Sequence, residues 1–226
     1  MGNFKKLEKG NKTHNLSAIN SIVDDFNADV PTKAACDLME LVIKKYPNNT
    51  DKGEILQKIW VVDRINKANL KMHHNADIQI AETILANPHF DKMLKDGNAE
   101  AVNIIAKQKI QKIEKKEILF SKDVILFSFA SKYCAYHSLY LYDDKFSIFD
   151  NLVNTLLPKY AKDFGLKNIT TNKLYECKAI CDYEKYRNYI NQFLKACGLE
   201  NEPKIHRKLD NFLWWQMRQK KLKETK

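Results

Sequence analysis

An all-α architecture follows from three features of the sequence. Six glycines and five prolines in 226 residues are far fewer than a chain of many tight turns would use. Apolar residues recur at three- and four-residue spacings over most of the length. The mixture of 44% hydrophobic and 29% charged residues is that of a globular core beneath a charged surface. The length suffices for a single well-packed domain without metal or disulfide support.

Element by element, residues 1–14 are rich in Lys and Asn and are expected to form a flexible, frayed start, with one helical domain spanning 15–222. Ile19, Ile22, Val23 and Phe26 share one helical face. After an N-terminus at Pro31 and Thr32, Ala35, Leu38, Leu41, Val42 and Tyr46 share another. Pro47-Asn48-Asn49-Thr50 reads as a turn, and Asp51 as the cap of a helix carrying Ile55, Ile59, Trp60 and Val62. Residues 66–75 are polar and break the periodicity, so they read as a loop. Ile78, Ile80, Ile84 and Leu85 open the next helix, Pro88 starts a short one, and Asp96-Gly97-Asn98 turns the chain before Val102, Ile104 and Ile105. A basic amphipathic stretch follows at 107–116. The most apolar run, Val124 to Tyr136, suits a buried helix. Tyr142–Lys145 is a loop, Asp150 introduces a helix ending near or shortly after Pro158, and residues 180–197 and 207–221 form the last helices.

Thirty-eight Lys and Arg against 28 Asp and Glu leave a net charge of +10, a balance suited to a polyanionic partner. Arg218, Lys220, Lys221, Lys223 and Lys226 form a basic tail. The five cysteines (Cys36, Cys134, Cys177, Cys181, Cys197) lack the spacing of a secreted disulfide framework and read as reduced thiols. No apolar stretch has transmembrane length, and residues 1–12 lack a signal-peptide core. A cytoplasmic monomer without membrane contact is the expectation.

One charge interrupts the apolar run. Lys132 stands among Phe127, Phe129, Tyr133 and Tyr136, and an amine held in an apolar wall is a usable nucleophile because burial disfavours the ammonium form. The same position also fits a lysine on the solvent stripe of an amphipathic helix. Eighteen residues on, the apolar segment Phe146–Phe149 ends in Asp150 at a helix start, where Asp is a common N-cap.

Residues 127–160 resemble the helix-hairpin-helix (HhH-GPD) DNA glycosylase superfamily, and within it the 8-oxoguanine branch. In that family a lysine on the helix following a hairpin and an aspartate about eighteen residues later, at the cap of the next helix, carry the chemistry. The resemblance rests on FSFASKYCAYH and FSIFDNLVNTLL, aligning Lys132 with the lysine nucleophile and Asp150 with the aspartate. It implies an HhH-GPD-like helical fold with a divergent hairpin, since Phe127–Ser131 holds no glycine where the family has a glycine-rich hairpin. It further implies a catalytic segment at 119–160, C-terminal helices at 180–222, and a glycosylase with AP-lyase activity on double-stranded DNA bearing a damaged or modified base. The cysteine spacing does not match the iron–sulfur cluster of some relatives, so no cofactor and no metal are expected; consecutive His73 and His74 do not define coordination.

Supporting roles fall on further residues. Trp214 and Trp215 could offer an aromatic face for a flipped base, although adjacent residues on a helix point apart, which favours one core and one half-exposed ring. Ser131 and His137 flank the lysine and are candidate contacts to substrate or phosphate. Asn66 and Asn69 lie where relatives place a loop that enters the duplex, and also suit a solvated loop. The competing reading is a non-catalytic DNA-binding or phage-defence module that keeps the fold; a third is an all-α scaffold with a basic surface.

Overall fold

A computed structural model describes residues 5–73, 75–114 and 117–224, with side chains described outside 109–122 and 221–224. His74, residues 1–4, the end of the basic stretch at 115–116, and the side chains of the basic tail from Lys221 onward therefore lie outside the described residues.

The described residues are mainly helical. The first half comprises α1 (Lys12–Ala28), α2 (Val30–Lys45), α3 (Lys52–Asn66), α4 (Ala76–Leu85), α5 (Phe90–Asp96) and α6 (Glu100–Ala106). The hairpin β1 (Lys107–Glu114) and β2 (Glu117–Ile125) then leads into α7 (Phe127–Leu141), α8 (Asn151–Asp163), α9 (Thr171–Ile180), α10 (Tyr183–Ala196) and α11 (Ile205–Glu224).

Local chemistry sets the helix starts. Asp29, Asp51, Asp150, Thr170 and Asp182 each accept a backbone N–H in the first turn of α2, α3, α8, α9 and α10. In α2, Pro31 is tolerated because the first-turn N–H groups have no helical partner. Gly97 ends α5 in the left-handed region at φ 71°, where a Cβ would also stand 2.9 Å from the Lys145 side chain. The helix α8 runs beyond Pro158 to Asp163.

Helix α7 is the axis of the fold. Phe127 and every residue from Phe129 to Ser138 are buried, and a helix buried on all faces must be surrounded. It packs against α2, α3, α5 and α6, while α11 closes the molecule by lying on α1 and α8. The core joins Ile19, Ile22 and Phe26 of α1 to Phe212, Leu213 and Trp215 of α11.

Three expectations need correction. Against the all-α expectation, residues 107–114 of the basic stretch pair antiparallel with 117–125, with a register shift between Lys112 and Ile113. Residues 5–11, expected to fray, are tied down: Lys5 N–H donates to Gln216 Oε1 at 2.6 Å, Gly10 N–H to Ala196 O at 2.9 Å, and Leu7 is buried. On α2 the buried residues are Met39 and Ile43, whereas Leu38 and Leu41 are 49% and 64% exposed, because α2 turns a different face to α7 than its leucines suggest. No helix among the described residues is long and apolar enough to cross a membrane.

Candidate functional site

The site is built on the middle of α7 and the five-residue extended segment before α8. Two serines one turn apart clamp that segment. Ser128 Oγ donates to Phe149 O at 3.0 Å, and Phe149 N–H donates to Ser131 Oγ at 3.0 Å. From the other side Tyr183 Oη accepts from Ser147 N–H at 2.7 Å and donates to Ser147 O at 2.8 Å, while Tyr186 donates to Ile148 O at 2.8 Å. Backbone groups that lack a ladder are thereby satisfied, and the segment delivers Asp150 at a fixed height along α7.

Lys132 is 5% exposed. That settles its placement: the side chain is in the interior wall and not on a solvent stripe. Its Nζ lies 3.2 Å from Asp150 Oδ2 and 3.4 Å from Ser128 Oγ. Asp150 divides its two oxygens between two tasks, since Oδ1 accepts the Leu152 N–H at 2.8 Å.

Both residues open onto a cavity of ≈ 470 Å³ between α1, α2, the end of α3, α7 and α11. That volume lies within the roughly 300–1,000 Å³ range of small-ligand clefts. Its aromatic walls are Phe26, Tyr136 and Trp214, and its polar groups include Asn66, Arg207, Asp210 and Asn211. The Arg207 guanidinium sits 4.8 Å from the Tyr136 ring centre and pairs with Asp210 Oδ2 at 2.8 Å. The other oxygen of Asp210 is buried without a hydrogen-bond partner. Burial pushes this carboxyl up to about 7, with Asp150 and Asp144 adding to the rise and Arg207 and Lys132 opposing it. Near neutral pH, Asp210 therefore exchanges between an acceptor and a hydrogen-bond donor at the cavity wall.

The other sequence candidates divide. Trp214 lines the cavity, half-buried, with the Arg218 guanidinium 5.1 Å from its ring centre. Trp215 points into the core, 8% exposed and edge-on to Phe26 at 5.9 Å, so it is not part of the aromatic face. Asn66 lines the cavity but commits its side chain to the protein, accepting from Tyr136 Oη at 3.0 Å and donating to Val62 O at 2.9 Å. Asn69 is exposed in the left-handed region at φ 60° and is absent from the lining.

Ser131 and His137 are corrected. Ser131 is fully buried and acts through Phe149, positioning Asp150 rather than meeting substrate. His137 is equally buried, bonded through Nδ1 to Tyr133 O at 2.7 Å and stacked on Tyr133 at 4.0 Å. Burial, with the nearby Lys58 charge, holds its ring well below the usual imidazole range. Arg207, Asp210 and Asn211 were missed, although with Trp214 and Arg218 they form a stripe at helical spacing along α11. Among the described residues no group of three or more His, Cys, Asp or Glu is gathered for a metal ion.

Comparison with known families adds one match: the family model HI_0787_N, which describes an N-terminal domain, fits residues 18–144. The chain belongs to that family. No curated protein and no solved structure matches. The HI_0787_N segment runs from within α1 to the end of α7 and thus contains Lys132, Asn66 and Tyr136, whereas Asp150 and the α11 stripe follow it. The cavity is therefore shared between the HI_0787_N domain and the helices after it.

Proposed function

We propose that the protein is a DNA glycosylase with AP-lyase activity, of the helix-hairpin-helix (HhH-GPD) type with a divergent hairpin, which receives an extruded damaged or modified base in the α7–α11 cavity. The observation that carries this reading is the buried Lys132–Asp150 pair, 3.2 Å apart on the wall of a cavity lined by Phe26, Tyr136 and Trp214. A base inside a duplex cannot be reached at its glycosidic carbon, so the nucleotide must leave the stack. Trp214 and Tyr136 provide faces for it, and base–aromatic stacking is worth about 1–3 kcal/mol.

In this mechanism the Asp150 carboxylate stabilises the cationic sugar that develops as the base departs. The Lys132 ammonium passes a proton to the departing base as the glycosidic bond breaks, and the free amine bonds to C1′. A second proton moves from that nitrogen to O4′ as the C1′–O4′ bond opens, leaving a protonated Schiff base, and loss of the C2′ proton then breaks the C3′–O bond and releases the 3′ phosphate by β-elimination. Asp210 and Arg207 face the departing base and read its hydrogen-bonding edge.

The test is borohydride trapping on duplexes containing 8-oxoguanine, an abasic site or glucosylated hydroxymethylcytosine. A covalent adduct formed by the wild type and lost in Lys132→Gln supports the reading. Duplex binding with no adduct on any substrate supports the non-catalytic binder instead.

A further inference from the structure

Two side chains on the cavity wall have no partner in the protein. The other charged and amide groups there, from the Lys132–Asp150 pair to Asn66, are held by hydrogen bonds or ion pairs. Asn211 and Lys67 line the same cavity, yet neither side chain makes a hydrogen bond or ion pair with any described residue. They differ in depth. Asn211 is 7% exposed, whereas Lys67, at the C-terminal cap of α3, is exposed. On α11 Asn211 follows Arg207 by four residues and precedes Trp214 by three, the spacing that puts all of them on one face.

A buried amide left without a partner is costly, and buried polar groups in folded proteins nearly always have one. The partner of Asn211 is therefore what enters the cavity. An Asn amide presents an acceptor oxygen and a donor nitrogen side by side in one plane. Its complement is a planar group with a donor beside an acceptor, the pattern on the edge of a heterocyclic base, as when Asn holds adenine through two bonds. The rings of Phe26, Tyr136 and Trp214 supply faces for such a plane. Lys67 adds an uncommitted ammonium at the exposed side, and an ammonium is a point charge suited to phosphate. A neutral amide in the depth and a free cation outside match a base and its phosphate.

We infer that the cavity holds one nucleotide in a fixed orientation, with Asn211 selecting a base that carries a donor beside an acceptor on one edge and Lys67 taking the adjoining phosphate. This rests on the glycosylase reading for the nucleotide's belonging to a duplex; a free nucleotide offers the same chemistry. Asn211 is then a specificity-determining residue, while Lys67 contributes affinity without base preference, since phosphate contacts carry no sequence information.

The experiment measures binding by calorimetry of the four deoxynucleoside 5′-monophosphates, of the adenine and cytosine analogues that lack the amino group, and of deoxyribose 5-phosphate. The tightest of the four is expected to bind wild type about 10-fold or more tightly than either analogue or the bare sugar phosphate. Asn211→Leu, close in size, should bring those ratios near one without lowering the melting temperature. Lys67→Gln should weaken every phosphate-bearing ligand alike and leave the corresponding nucleosides unchanged. A short duplex holding the preferred base in a mismatch, where extrusion is easiest, should displace the free nucleotide. Wild type that binds none of the nucleotides, or binds the analogues as tightly as the best of them, overturns the assignment without recourse to a variant. Discrimination with no displacement by duplex and no borohydride adduct overturns the glycosylase reading and leaves the nucleotide site standing. An adduct without discrimination does the reverse.

Discussion

At the residue scale, Asp150 is the side chain whose two roles can be separated by mutation. Its Oδ1 caps α8 and its Oδ2 faces Lys132. Asn caps a helix about as well as Asp, so Asp150→Asn is expected to retain the melting temperature while slowing base release by orders of magnitude, read in single-turnover assays. Asp150→Ala removes the cap as well and is expected to cost about 1 kcal/mol or more of stability, read by denaturant unfolding. Equal stability of the two variants would remove the capping role. Lys132 and Asp150 were legible because each breaks a local pattern: a charge within an apolar run, and a carboxylate between an apolar segment and a helical one. Ser131 and His137 were misjudged for a complementary reason. Polar residues one and two turns into a helix's interior look available, and only the burial of α7 on every side converts them to internal partners.

Asp210 gives a pH signature at the same scale. Its folded-state value, raised by burial to about 7, lies well above its ordinary value of 3.8. A carboxyl raised on folding stabilises the native state below its unfolded value, and that contribution is lost as pH rises through the folded value. Raising the pH from about 6 to about 8 should therefore remove about 1.4 kcal/mol of stability through this group. Asp210→Asn is expected to remove that loss, leaving the slope set by the other buried groups: Asp144, raised to about 6, in the same direction, and His137, His206 and Lys58, all held below their ordinary values, in the opposite one. Unfolding curves at several pH values provide the measurement, and parallel pH profiles for wild type and variant would count against the shift.

Elements differ in how openly the sequence declares them. The last helix lines the cavity with a stripe, Arg207, Asp210, Asn211, Trp214 and Arg218, yet adjacent Trp214 and Trp215 compete for attention because a single sequence does not say which lies on it. The structure separates them. Trp215→Ala empties a core position beside Phe26 and is expected to cost about 3–5 kcal/mol. Trp214→Ala is expected to weaken binding of an extruded nucleotide by about 1–3 kcal/mol with a smaller effect on folding. Calorimetry and titration on the two variants separate the roles; a reversed order would exchange them. The ribbon was harder to read. Ile110 and Ile113 are three residues apart, as on a helix, and the register shift between Lys112 and Ile113 breaks the alternation that would have declared a strand.

At the scale of the whole molecule, the sequence predicted a helical body correctly because low Gly and Pro content and 3.6-residue periodicity are properties of segments. It did not reveal which segments converge. The cavity takes Phe26 from α1, Lys132 and Tyr136 from α7, Asp150 from the segment before α8, and its polar stripe from α11. These contacts join residues separated by most of the chain, as when Arg218 donates to Thr32 Oγ1 at 3.0 Å and lies 3.6 Å from Asp29 Oδ2. The family segment 18–144 ends before two of these contributors. In isolation it would expose the faces of α1 that α11 covers, including Ile22 and Phe26, together with the serine-lined side of α7 that holds residues 147–150. Exposed apolar surface of that kind favours a loosely packed state. A fragment of residues 18–144 is therefore expected to keep helical circular dichroism, bind a hydrophobic dye, melt without a sharp transition and form no borohydride adduct. Cooperative melting with dye binding as low as that of the full chain would mean that the N-terminal helices pack without α11, and that the later helices complete the cavity without being needed for the fold.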